Sequence, residues 1–141
     1  MKLQMDVPAL NHFLKEEFPQ VRDSLLVEAI LEDGLRVRLC VDDNHLRPGG
    51  TVSGPAMFML ADVAIYLSIL ARIGPQALTV TTSCAMDFLR KPLAGVDLLC
   101  EVRVLKIGKR LAICDALILS EGQAGAVARA NMTYAIPPAQ A

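Results

Sequence analysis

Nineteen residues from Pro55 to Ile73 run almost without a polar break, with Asp62 alone near the middle of Pro-Ala-Met-Phe-Met-Leu-Ala and Val-Ala-Ile-Tyr-Leu-Ser-Ile-Leu-Ala-Arg-Ile. A helix that is apolar all round is one that protein encloses. Pro55 suits its first turn, with Ser53 or Gly54 as cap, and Gly74-Pro75 ends it. Upstream, Leu10, Phe13 and Leu14 recur at helical spacing against Glu16-Glu17, which predicts a short amphipathic helix over Val7 to Phe18, stopped by Pro19. Ser24 to Leu31 and Leu35 to Val41 flank Glu32-Asp33-Gly34 and predict a hairpin. Four extended runs follow the long helix: Leu78 to Leu89, Val96 to Ile107, Arg110 to Ser120 and Ala124 to Ile136. The predicted order is therefore helix, two strands, long buried helix, four strands. An α+β fold satisfies it, with an antiparallel sheet wrapped around one long central helix, because each needs the other's apolar cover.

A bilayer-spanning reading of Pro55 to Ile73 is possible on length alone. The acid at its midpoint and the alternating strands around it argue instead for a core helix. The 141 residues make a single domain, 1–141, without repeats or linkers. With 53% hydrophobic residues and a mean hydropathy of +0.41, the chain predicts subunits buried against one another. The net charge is −1 and the cations are scattered, so nothing marks a nucleic-acid or membrane surface. Aromatics are 4% with no Trp, which also argues against base stacking. The N-terminus lacks a long apolar run, and the expectation is a cytoplasmic protein. Cys40, Cys84, Cys100 and Cys114 are far apart in sequence and lack metal or redox spacing, which predicts reduced core or half-buried thiols.

Candidate chemistry centres on Asp62. Apolar surroundings disfavour a charged carboxylate, so a buried acid needs a hydrogen-bond partner or a chemical task. The preceding loop, Arg47-Pro-Gly-Gly-Thr-Val-Ser-Gly-Pro55, can bring backbone N–H groups close to a ligand. Acid and loop together predict an active site at the mouth of the buried helix.

The element order, with Pro48-Gly-Gly-Thr-Val-Ser-Gly-Pro55, Leu60-Ala-Asp62, Asp87-Phe-Leu-Arg90 before Pro92, and Val104-Leu-Lys-Ile-Gly-Lys-Arg110, resembles the hotdog-fold acyl-CoA thioesterases of the phenylacetate-pathway type. The resemblance runs from about Leu10 to Tyr134. Members of that family carry His-Gly-Gly nine residues before an acid on the central helix, and Ser53-Gly54-Pro55 stands in that place here. The resemblance implies hydrolysis of an acyl-CoA thioester, with Asp62 as general base or nucleophile and the Gly54 N–H as oxyanion donor. Ser53 takes the place of the His, and Thr81 or Thr82 matches a hydroxyl that positions water. Arg47, Gly50, Phe88 and Arg90 are the implied substrate-contacting residues, and Gly108-Lys109-Arg110 resembles the turn that contacts coenzyme A phosphates. Coenzyme A enters only as part of the substrate, and no metal or other cofactor is implied. The same resemblance implies a homodimer, and two dimers in a homotetramer, with the reacting groups meeting across an interface.

Three positions depart from the family pattern: Ser53 replaces His, Pro55 replaces the second Gly, and Arg47 stands where several members have Asn. A serine can orient a carbonyl or a water, whereas Pro55 has no N–H to offer. Two other readings stay open, a hotdog protein that binds acyl-CoA without chemistry and a hotdog enoyl-CoA hydratase or dehydratase. Asp42, Asp43 and His45 hint at the latter, although His45 also reads as a loop hydrogen-bonder. Ser53 reads equally as a helix cap, Lys109 and Arg110 as a solvated hairpin, and Tyr66 as packing.

Overall fold

In the computed structural model, which describes residues 2–138, Asp6 starts the first helix by accepting the Ala9 N–H on its side chain at 3.0 Å. Helix α1 spans Val7–Glu17 and buries Leu10, Phe13 and Leu14, the face its spacing predicts. It stops where Phe18 leaves helical geometry, one residue before Pro19. Strands β1 (Leu25–Ile30) and β2 (Leu35–Leu39) then pair antiparallel, Leu25 opposite Leu39 and Ile30 opposite Leu35. Gly34 in their turn lies so close to the sheet that an added Cβ would fall 1.8 Å from the Val102 carbonyl oxygen. Only a residue without a side chain fits there.

A single 3-10 turn over Asp43–His45, absent from the predicted elements, leads into the loop. Helix α2 spans Gly54–Ile73, with the Ser53 hydroxyl oxygen accepting the Ala56 N–H at 3.2 Å and Gly74 closing it at a φ of +95°. Leu60, Ile65, Leu67, Ile69 and Leu70 are fully buried. Each such side chain contributes about 1.5–3 kcal/mol relative to exposure. Although α2 is long and apolar enough to cross a membrane, 78% of its most apolar stretch lies inside the fold, which makes it the core helix.

The remaining strands are β3 (Val80–Phe88), β4 (Leu98–Ile107), β5 (Leu111–Ser120) and β6 (Ala128–Ala135). The last strand is shorter than predicted, because Gly122 and Gly125 take positive φ values and the chain turns before it pairs. All six strands form one antiparallel sheet in the order β1-β2-β4-β5-β6-β3. Alternation is clean on β5 and β6, where Ala112, Cys114, Ala116 and Ile118, and Ala128, Ala130, Met132 and Tyr134, point inward to α2.

β3 is different. Among the described residues it pairs only with β6, its outer edge is open, and no residue on it is fully buried. Val80 is 55% and Phe88 53% exposed. This corrects the expected cysteine placement at one position: Cys100 and Cys114 are buried and Cys40 half-buried, but Cys84, on β3, is exposed.

Candidate active site

Asp62 sits near the middle of α2, beside the start of β3 and the end of β6. It is half-buried rather than engulfed, as its apolar neighbours in sequence predict, because it faces the edge where the sheet's cover stops at β3. The Thr81 hydroxyl donates to Asp62 Oδ1 at 2.7 Å. The Tyr134 hydroxyl also reaches Oδ1, and it lies 2.7 Å from the Asp62 backbone carbonyl oxygen. Among the described residues no donor reaches Oδ2. The carboxylate is thus anchored through one oxygen, and Asp62 helps to line a cavity of about 360 Å³ together with Thr79, Thr81, Tyr66 and Tyr134.

Tyr134 is the residue that sequence reasoning missed. Burial first, and then the charge and hydrogen bond of Asp62, hold its phenol well above the ordinary tyrosine range, so it remains a proton donor. Its ring stacks on Tyr66 with centroids 6.2 Å apart. The alternation of β6 puts Tyr134 on the inner face with Met132, which was the available signal, but only the sheet order places its hydroxyl at Asp62. Tyr66 itself donates to the Ala77 carbonyl oxygen at 2.9 Å rather than to Asp62, and burial pushes it up to about 12. Thr82, the other hydroxyl the sequence offered, turns away and donates to the Thr133 carbonyl oxygen.

A second cavity, of about 340 Å³, opens at the start of α2 and includes Arg47, Gly54, Met57, Phe88, Arg90 and Lys91 in its wall. Gly54 is the first residue of α2, so its N–H has no partner within the helix and carries the positive end of the helix dipole. The Phe88 ring packs against it, at the distance where an added Cβ would meet Phe88 Cζ at 3.4 Å. Arg47, Arg90 and Lys91 form no salt bridge with any described residue. Gly50 lies in the tight turn before this cavity, at a φ of +85° with its N–H on the Arg47 carbonyl oxygen, and does not line it. Ser53 is engaged as the helix cap.

One chain does not bring all these residues together. Asp62 follows Gly54 by eight residues, which is about 12 Å along a helix. The register separates them further: Val80 pairs with Ala135, which pairs with Leu111, so the Gly108-Lys109-Arg110 turn shares an end of the sheet with Thr81 and Asp62. Phe88 pairs with Ala128 at the opposite end, where Gly54, Arg47 and Arg90 lie. The predicted residues therefore form two half-sites at opposite ends of β3.

The Asp42, Asp43 and His45 cluster is a loop device. His45 Nδ1 accepts the Asp42 backbone N–H at 3.0 Å, which leaves the proton on Nε2, 3.2 Å from the Ser24 hydroxyl. A ring so fixed cannot take a proton from Ser24. No group of three or more His, Cys, Asp or Glu suited to a metal occurs among the described residues.

Residues 49–134 match the family model of the thioesterase superfamily. A Pseudomonas aeruginosa protein provisionally named an esterase is 36% identical over 87 residues, a match that covers 61% of this chain and 64% of that protein. The chain thus spans less than two thirds of that relative's length. Among solved structures, a provisionally named thioesterase of Silicibacter sp. TM1040 superposes with a TM-score of 0.92 at 49% identity, over 98% of this chain and 96% of that one. The phenylacetic acid degradation protein PaaI of Thermus thermophilus, in mutant form, gives a TM-score of 0.72 at 28% identity, over 84% of this chain and 99% of that one.

Proposed function

The chain belongs to the thioesterase superfamily and has its hotdog fold, and from that premise we propose that it hydrolyses an acyl-CoA thioester to a carboxylic acid and free coenzyme A. The observation that carries the reading is Asp62 at the wall of a cavity, with one carboxylate oxygen held by Thr81 and Tyr134 and the other met by no donor among the described residues. In this reading the free oxygen takes a proton from a water whose oxygen attacks the thioester carbonyl carbon. The carbonyl oxygen gains negative charge and is met by the Gly54 N–H at the helix N-terminus, where donor and dipole act together. The intermediate collapses with cleavage of the C–S bond, and the coenzyme A thiolate takes the proton back from Asp62.

The groups 12 Å apart on one helix act on one thioester when two chains pair. Antiparallel pairing of the open β3 edge with a second copy sets the Phe88 end of one chain beside the Val80 end of the other. Gly54, Arg47 and Arg90 of one protomer then meet Asp62 and Thr81 of its partner, and the Gly108-Lys109-Arg110 turn lies within the same region for the coenzyme A phosphates. The exposed Val80 and Phe88 would be covered by the same act. The protein in this reading is a cytoplasmic homodimer, with two dimers assembling as a homotetramer.

Ser53 and Pro55 favour a second reading, retention of acyl-CoA without efficient turnover, because the serine is occupied as a cap and the proline has no N–H. Thiol release from short, medium, long and aryl acyl-CoAs separates the two. Turnover supports hydrolysis, and tight binding without thiol release establishes the second reading.

A further inference from the structure

The six-stranded sheet has two edges, β1 and β3, and the chain treats them differently. Along β3 the edge is open, and past the bulge between Thr81 and Ser83 it runs in regular register from Ser83 to Phe88, with exposed Val80, Phe88 and Leu89 beside it. Along β1 the outward backbone groups are already taken. The Leu25 N–H donates to the Val21 carbonyl oxygen at 3.2 Å. Two residues on, the Val27 N–H donates to Asn11 Oδ1 at 2.9 Å, while Asn11 Nδ2 donates to the Val27 carbonyl oxygen at 3.0 Å. These are the two bonds that a residue of a facing antiparallel strand would exchange with Val27, so one side-chain amide, donor and acceptor together, occupies the place of a strand. Helix α1 holds it there, since Leu10 and Leu14, beside Asn11 on the helix, are buried in the core. Just past Val27 the register slips by one residue at Glu28, a bulge of the kind that bends an edge away from pairing.

We propose that Asn11 seals the β1 edge, so that a second copy of this chain adds by strand pairing at β3 and not at β1. The inference rests on the reading that two chains pair through β3. Such a pair runs from β1 to β3 in one chain and from β3 back to β1 in the other, which leaves a β1 strand at each end of the joined sheet. If β1 could pair as β3 does, each end would take another chain. The pair would then grow into an open filament, because edge contacts made at both ends of a sheet do not close on themselves. Asn11 thus decides between a closed assembly and an open one, although it lies on the strand edge opposite to the one where the chains meet.

The test is mass by light scattering during size-exclusion chromatography of the full chain, in reducing buffer so that exposed Cys84 forms no crosslinks. Wild type is compared with Asn11→Ala and with Asn11→Ala carrying Leu26→Lys. Leu26 lies on β1 and is 44% exposed, and a lysine there blunts the strand edge without restoring the lost bonds. Wild type is expected as one species of fixed mass from micromolar to millimolar protein, Asn11→Ala as larger species that grow with concentration, and the double variant as the wild-type species again. An Asn11→Ala protein of wild-type mass at every concentration overturns the inference, as does a wild type that itself grows with concentration. Larger species in both variants also overturn it, because aggregation of a weakened fold is not relieved by a charge on one edge. A wild type that runs as a monomer removes the β3 pairing, and Asn11→Ala then decides the seal by itself: a new concentration-dependent dimer supports it and a monomer overturns it.

Discussion

Asp62→Asn removes the proposed base and little else. The amide oxygen of Asn can take the place of Oδ1 and accept the Thr81 and Tyr134 hydroxyls, so the anchoring seen in the wild-type carboxylate persists. The amide nitrogen replaces Oδ2, which no donor among the described residues reaches, and cannot accept a proton. General bases contribute roughly 10²–10⁴-fold, or about 2.7–5.4 kcal/mol of barrier at 1.36 kcal/mol per tenfold. Exchanging a charged acceptor for a neutral one at Oδ1 costs stability by only about 1 kcal/mol. The expectation is a kcat lowered at least a hundredfold at little change in melting temperature, read by thiol release from the best acyl-CoA found for wild type. An Asp62→Asn protein that turns over within tenfold of an active wild type would refute the assignment. A large loss of stability alongside the loss of activity would mean that Asp62 is a structural acid.

Gly34→Ala drives a methyl group into the Val102 carbonyl and should destabilise the fold by about 3 kcal/mol in urea denaturation, and a neutral result would mean that the hairpin moves freely off the sheet. Tyr66, pushed up to about 12 by burial, and Tyr134, pushed further, fold as neutral phenols but ionise near 10 once unfolded. The stability they hold is complete below about pH 10 and lost as pH rises from there toward 12, so the urea midpoint should be flat from pH 7 to 9 and fall above 10, and a flat midpoint at pH 11.5 would contradict it. Burial also pushes the Cys114 thiol up to about 12 and Cys100 higher, so iodoacetamide at pH 8 should leave both untouched; early labelling of either would show that the core opens.

The sequence makes α2 legible because twenty helical residues with a single acid can be satisfied only by enclosure, and Ser53, Pro55 and Gly74 mark its ends by chemistry that is local. The hairpin around Gly34 and the inward positions of β5 and β6 follow from alternation in the same way. What local pattern cannot carry is the order of strands. Tyr134 lies seventy-two residues beyond Asp62, and nothing in either segment announces the other. That the reacting groups meet across an interface came from the family resemblance and not from local pattern, since spacing along α2 gives a length but not the direction each end faces.

The place of β3 in the sheet also bears on how the chain comes to be folded as it is made. Val80 pairs with Ala135 and Phe88 with Ala128, so the only partner of β3 within the chain emerges from the ribosome at least forty residues after it. Until then β3 waits without the strand that joins it to the rest of the sheet. At 5–20 residues per second that interval is roughly two to eight seconds, long enough for unpaired strands to associate wrongly or to need chaperone shelter. Loss of β6 would therefore leave β3 without a described strand to pair with in its own chain.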